Sequence, residues 1–225
     1  MKRRGTTRVK RRFDADDALT LSQHAVDAGH PWLARFLDVA MRPLYPARRL
    51  VVPEATGDVL EVGVGTGLNF GLYRDVTSLV GIDPDPFMLE RARPRAAELP
   101  FPTTLHQTGA ESLPFAGARF DTAVITFTLC TIPDPAGALA EVWRVLRPGA
   151  RLLFVEHTRS IQPVLASAQD VLTPLWKQIG GGCHLNRRAV ELVGAAGFAI
   201  RHTEPVWRER WTLLPVYRGV AEKPA

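Results

Sequence analysis

Residues 59–67 read VLEVGVGTG, an apolar run interrupted by one glutamate, Glu61, and closed by three alternate glycines, Gly63, Gly65 and Gly67. An apolar run of this kind predicts a strand buried on both faces. Alternate glycines behind it let the chain turn sharply and leave main-chain amides open to a ligand. The spacing narrows the ligand. A dinucleotide fingerprint needs G-x-G-x-x-G, and here the third glycine falls one residue early; no Gly-Lys-Ser/Thr follows, which excludes a phosphate-binding P-loop. What remains is an E-x-G-x-G-x-G turn ahead of a second apolar run, SLVGID (78–83), whose last residue, Asp83, is placed to accept the two hydroxyls of a ribose.

Outward from that turn, short β-rich runs alternate with helical patterns, the mark of an α/β, doubly wound, mostly parallel sheet with helices on both faces. TTLHQT (103–108) reads as a third strand toward an edge. FDTAVITFTL (120–129) reads as a central strand, ARLLFVEH (150–157) as the fifth, and FAIRHTEPVW and LLPVYRGVAEK as two closing strands. One helix starts with Asp85 as N-cap and Pro86 in its first turn. Another is capped by Asp134, carries Leu139, Val142, Trp143 and Leu146 on one stripe, and stops at Pro148-Gly149. A third covers 187–196, with Asn186 as cap and Gly197 as stop. Residues 31–52 form amphipathic helical turns that cover an edge of the site or core; the alternative is a membrane-surface role using Arg42, Arg48 and Arg49. Residues 159–185 lack strand character, contain the apolar stretch VLTPLW and end in GGGCH, which reads as a mobile lid.

Composition sets the frame around this core. Of 225 residues, 46% are hydrophobic and 23% charged, the balance of an ordinary globular domain. The net charge of +5 is local: residues 1–12 hold seven of the 28 Lys and Arg and no acid, so the rest sums to −2. Residues 1–30 are expected to be a basic, flexible tail and 31–225 a single domain. Such a tail binds phosphates or leans on anionic lipid when it binds at all. No apolar h-region follows it, two cysteines build no disulfide framework, and no run reaches the roughly 18 apolar residues of a membrane span. The expectation is a cytoplasmic, reduced, enzyme-sized domain with a small-molecule acceptor and no nucleic-acid partner. Membrane-surface contact through the N-terminus stays open, and the oligomeric state is unassigned.

Taken together, EVGVGTG, GIDPD, ESLPFAGARFDTAV and LAEVWRVLRPGARLLFVE resemble the class I S-adenosylmethionine-dependent methyltransferases over roughly residues 55–200, within the ubiquinone-methyltransferase-like group. LEVGVGTGLNF, GAES, FTLC, FVEHT, LTPLWKQIGGGCHLNR and VYRGVAEK resemble more closely the methyltransferase-like thiol S-methyltransferases, with bacterial phospholipid N-methyltransferases as near relatives. The resemblance implies a Rossmann-like, seven-stranded sheet with a reversed last strand and S-adenosyl-L-methionine as methyl donor. It implies that Glu61, Gly63, Gly65 and Gly67 serve the methionine and ribose, Asp83 the ribose hydroxyls, Pro84 and Met88 the adenine, and Ala110 and Glu111 the adenine's other side. Thr126 and Phe127 face the sulfonium. Asn69 either touches the methionine end or caps locally. The wider group often has Asp before that alanine, where this chain has Gly109, so backbone groups or Glu111 would take over that contact.

Methyl transfer is an in-line displacement that needs placement more than a protein nucleophile. In an open α/β sheet ligands lie outside the carboxyl ends of the strands, which makes Thr128, Leu129, Cys130, Glu156, His157 and Thr158 the candidates around the acceptor. His157 is the expected base or orienter, with Thr128 and Glu156 beside it; its alternative is a histidine satisfied by Glu156 or backbone. Trp176, Cys183 and His184 on the lid either contact the acceptor or pack, and Trp207 and Trp211 either line the mouth or pack. No metal site is expected, because no ligand pair other than Cys183 and His184 has a suitable spacing. The largely uncharged set around strands four and five favours a thiol acceptor over an amine or phenol; a phospholipid methyltransferase and a non-catalytic donor-binding module are the alternatives.

Overall fold

The computed structural model describes residues 31–207 and 212–225; the expected tail over residues 1–30 and Trp211 lie outside them. Seven strands form one sheet: β1 (Thr56–Val62), β2 (Asp75–Asp83), β3 (Thr103–Gln107), β4 (Phe120–Thr126), β5 (Leu146–His157), β6 (Ala199–Pro205) and β7 (Val216–Glu222). Their spatial order is β3-β2-β1-β4-β5-β7-β6, parallel throughout except for β7, which runs against both β5 and β6. This is the Rossmann-like sheet with a reversed last strand, and TTLHQT sits at its edge. Strand order reverses between β1 and β4, so the carboxyl ends of those two strands open a crevice.

Alternation along β1 explains why both faces are covered. Leu60 and Val62 enter one apolar layer with Phe120, Ile125, Leu152 and Phe154, while Val59 enters the other with Leu79, Val124, Leu153 and Val155. Six helices complete the described chain: α1 (Pro31–Ala40), the single turn α2 (Tyr45–Arg48), α3 (Pro86–Ala97), α4 (Pro135–Val145), α5 (Pro163–Ile179) and α6 (Ala189–Ala195). The Asp85 carboxylate accepts from the Phe87 and Met88 amides at the start of α3, and Asp134 accepts from Gly137 at the start of α4, the caps expected from sequence.

Three local expectations fail. Leu146 is not on α4: the helix ends at Val145, and Leu146 opens β5, which carries Pro148-Gly149 where the register against β4 shifts. A proline without a donor and a glycine at φ +74° are tolerated at such an irregularity. Trp143 is not core either; it is 38% exposed, with the Lys223 ammonium 3.8 Å from its ring centroid. Asn186 caps nothing, since α6 begins at Ala189 and the Asn186 amide donates to Asp170 instead. Residues 163–179, within the stretch 159–185 read as a lid without strand character, form a 17-residue helix. Its pattern is hard to see because Pro174 lies inside it and its apolar side chains Val164, Val171, Leu175 and Ile179 face outward.

Candidate active site

The glycine turn after β1 is a main-chain requirement: Gly63, Gly65 and Gly67 have φ of +71°, +54° and +83°, where a side chain is strained. What lies against two of them is the protein itself. A Cβ on Gly63 would sit 2.3 Å from Thr128 Cγ2, and one on Gly67 would sit 2.8 Å from the Phe70 ring. At Gly65 only Leu37 of α1 comes near, at 3.5 Å. The turn continues into a short 3-10 segment, Phe70–Leu72, rather than an α-helix. α1 lies over this turn, with Asp38 accepting from the Thr66 hydroxyl at 2.5 Å and pairing with Arg95 of α3.

Asp83 ends β2 with both carboxylate oxygens engaged by main chain, Oδ2 by the Gly65 amide at 2.8 Å and Oδ1 by the Asp85 amide at 2.9 Å. Burial raises its pKa to about 6, against the opposing effect of those two amides. Each oxygen keeps a lone pair for a further donor. The first turn of α3 places Met88 beside this strand end, buried, while Ala110 packs in the core and Glu111 accepts weakly from the Asp134 amide at 3.4 Å. Gln107 donates to the Pro84 carbonyl at 3.5 Å.

Between the carboxyl ends of β1 and β4 lies a buried polar network. Arg48, only 7% exposed, donates to Asn69 Oδ1 at 2.9 Å and to Thr126 Oγ1 at 2.5 Å, and stacks 5.2 Å from the Phe127 ring centroid. Asn69 donates in turn to Thr126 and to Glu61, whose other oxygen accepts from Tyr73. Burial lifts Glu61 to about 7, opposed by its bonds from Tyr73 and Asn69 and by the Arg48 charge. Asn69 is thus neither a helix cap nor solitary. Arg48 is not a surface charge, which removes it from the membrane-facing set; its Nε is buried without an acceptor. Sequence reading missed Arg48 and Tyr73 as site residues, and nothing in their local pattern marks them.

The loop after β4 is tied down by β5. Phe127 takes φ +54°, and the Glu156 carboxylate accepts from the Thr128 and Leu129 amides at 2.6 and 3.1 Å. Full burial raises Glu156 to about 7, against those amides and His157. Glu156 therefore shapes the loop rather than serving His157 through a hydrogen bond. His157 Nε2 lies 3.1 Å from Cys183 Sγ, and its buried Nδ1 has no partner. Cys183 arrives there because Gly181 and Gly182, at φ +60° and +83°, turn the chain back after α5, and the His184 amide bonds the Cys130 carbonyl at 2.8 Å. The hydrogen bond from Cys130, opposed by burial, together with the bond and charge of His157, brings the Cys183 thiol down to about 4. Burial would depress His157, but the bond to Cys183 and the charges of Cys183 and Glu156 outweigh it and raise its pKa. Trp176 also hydrogen-bonds Cys183.

The structure therefore brings Thr128, Leu129, Cys130, Glu156, His157, Trp176, Cys183 and His184 to one end of the sheet. Trp207 stands apart from these contacts, 42% exposed. The described residues also contain a cleft of about 670 Å³ between α1 and α3, lined by Trp32, Phe87 and Glu90 among others; none of the cysteine–histidine group lines it.

Known proteins are similar to this chain in sequence and in fold. Residues 60–154 match the family described as Methyltransferase domain. A thiol S-methyltransferase, TMT1B of Mus musculus, is 36% identical over 165 residues, 70% of this chain and 66% of that protein. A phosphatidylethanolamine N-methyltransferase of Cereibacter sphaeroides is 36% identical over 126 residues, 55% of this chain and 62% of that one. An S-adenosylmethionine-dependent methyltransferase structure from Mesorhizobium loti superposes with a TM-score of 0.58 at 20% identity, over 82% of this chain and 98% of that one, a likeness of fold. The chain spans less than two thirds of the length of these two curated relatives. Residues 60–154 thus carry a Methyltransferase domain, and the chain is similar to S-adenosylmethionine-dependent methyltransferases.

Proposed function

We propose that the protein transfers a methyl group from S-adenosyl-L-methionine to a small, fairly apolar thiol. The observation that carries the reading is the buried, soft group at the carboxyl ends of β4 and β5, with Cys130, His157 and Cys183 beside Trp176. Similarity to the thiol S-methyltransferase of mouse supports it.

The chain's residues fit the donor. Asp83 has acceptor capacity for ribose hydroxyls, Gly65 leaves bare main chain beside it, and the buried cation Arg48, with an unpartnered Nε, suits the donor's carboxylate. When bound, the donor supplies a methyl already activated on a sulfonium. The protein's own tasks are placement and dryness. Thr126, Phe127 and Thr128 are held rigidly by Arg48, Asn69 and Glu156, which fixes the wall where the two reactants meet. A thiol of ordinary pKa near 8.5 is a few per cent thiolate at neutrality, so the demand on a base is small. His157 orients the acceptor's sulfur from the β5 side.

The test is incubation with donor and a panel of alkyl and aryl thiols, amines, phenols and phosphatidylethanolamine vesicles, with methylated products read by mass spectrometry. Methyl thioethers are expected; turnover of the amines or vesicles alone overturns the thiol assignment. A second reading, methylation at a lipid surface, is favoured by the outward apolar row Val164, Val171, Leu175 and Ile179 on α5. Vesicle binding lost in a Val171→Glu, Leu175→Glu variant supports that reading, and unchanged binding removes it. No described helix is long and apolar enough to cross a membrane.

A further inference from the structure

Three soft ligand atoms converge from three separate segments: Cys130 Sγ from the loop after β4, His157 Nε2 from the end of β5, and Cys183 Sγ from the turn after α5. All lie within 4.8 Å of one another. The residues are 27 and 26 positions apart, so no local motif betrays them. A tetrahedral centre with metal–sulfur bonds of about 2.3 Å and a metal–nitrogen bond of about 2.0 Å sets its ligand atoms roughly 3.5 to 3.8 Å apart. His157 Nε2 and Cys183 Sγ stand 3.1 Å apart, and the 4.8 Å bound on all three atoms lies about 1 Å above that range.

We propose that Cys130, His157 and Cys183 form a site for a soft divalent metal ion of the zinc class, with three protein ligands and a fourth position open to an exogenous ligand. Two thiolates and one neutral imidazole are the ligand types this ion prefers, and the two thiolates balance its charge; the protons that the three ligand atoms hold leave to solvent as the ion binds. No fourth His, Cys, Asp or Glu atom joins the group among the described residues. Such a three-ligand set keeps a coordination site for water or substrate, unlike a closed structural centre. The supports are firm. Cys130 is held by the His184 amide on its own carbonyl, and Arg187 pins the flanking carbonyls of Leu129 and Ile132. Resting on the thiol reading above, the fourth position would bind the acceptor's sulfur as a thiolate, which a zinc-class ion holds deprotonated at neutral pH.

The test uses the full chain, reduced, stripped with a chelator and titrated with Co²⁺. One equivalent should produce the visible bands of tetrahedral cobalt and a near-ultraviolet thiolate-to-cobalt band, and Zn²⁺ should displace them. Cys183→Ser should weaken cobalt binding at least tenfold and halve the thiolate band, as should Cys130→Ser. Circular dichroism checks that each variant folds; should Cys130→Ser fail, Cys183→Ser on its half-exposed turn carries the test alone. A silent cobalt titration of the reduced protein, or a spectrum that survives Cys183→Ser unchanged, overturns the site. Adding 2-mercaptoethanol to the cobalt form should intensify the thiolate band, and an unaltered band overturns the open position. These spectra need no turnover, so a protein that methylates no thiol can still show them, and the two readings fail separately.

Discussion

At Asp83 a single carboxylate serves two masters, closing the glycine turn through Gly65 and Asp85 while keeping lone pairs for a ligand. A charged acceptor of this kind is worth about 1.5 to 3 kcal/mol per hydrogen bond. Asp83→Ala should therefore weaken binding of S-adenosylhomocysteine by tenfold or more in calorimetry, and Asp83→Asn by less, since the amide still accepts. Because burial holds this carboxyl at about 6, the ionised acceptor is lost as pH falls through that value. Affinity should be steady above pH 7 and decline below 6, and the decline should vanish in Asp83→Asn. His157 belongs to the other end of the site: His157→Ala should leave calorimetric donor binding intact while lowering turnover, and unchanged turnover returns it to a structural role.

Elements act through the turns that join them. The β1 turn needs glycine at 63 for two reasons, a positive φ and the Thr128 side chain in the way; at 65 only the first applies. Gly63→Ala should cost several kcal/mol and Gly65→Ala about 1 kcal/mol, compared by chemical denaturation. Equal losses would mean the Thr128 contact is easily relieved. The β4 turn depends on Glu156, whose carboxylate satisfies two amides that would otherwise be buried and unpaired. Glu156→Ala should destabilise by about 2 to 4 kcal/mol, with Glu156→Gln recovering most of it by keeping the accepting oxygen. The strands and the capped starts of α3 and α4 were readable because period, proline and Asp caps are local signals. α5 was not, since its apolar row faces away from the core, and Leu146 changed element because pairing with Phe120 outweighed a helical stripe.

Across the whole molecule, three carboxyls, Glu61, Asp83 and Glu156, are buried at the carboxyl ends of the strands with pKa values raised to about 7, 6 and 7. A raised value means the folded state prefers the proton, so their contribution to stability is full below the unfolded values near 4 and is lost as pH climbs through 6 to 7. The ligand-free protein should melt higher at pH 5.5 than at pH 7.5, by a few degrees if the net loss is on the order of 1 kcal/mol. Glu61→Gln should flatten that slope, and a melting point that rises with pH over this window would refute the assignment. By itself the sequence determined the strand series, the glycine turn, Asp83 and the donor class they imply, because each is written in neighbouring residues whose spacing the backbone must obey. Only the tertiary structure decided that Arg48 is buried beside Glu61, that Thr128 fills the space at Gly63, and that Cys130, His157 and Cys183 meet. Those contacts join residues 13 to 65 positions apart, and sheet order, not local pattern, sets which of them become neighbours.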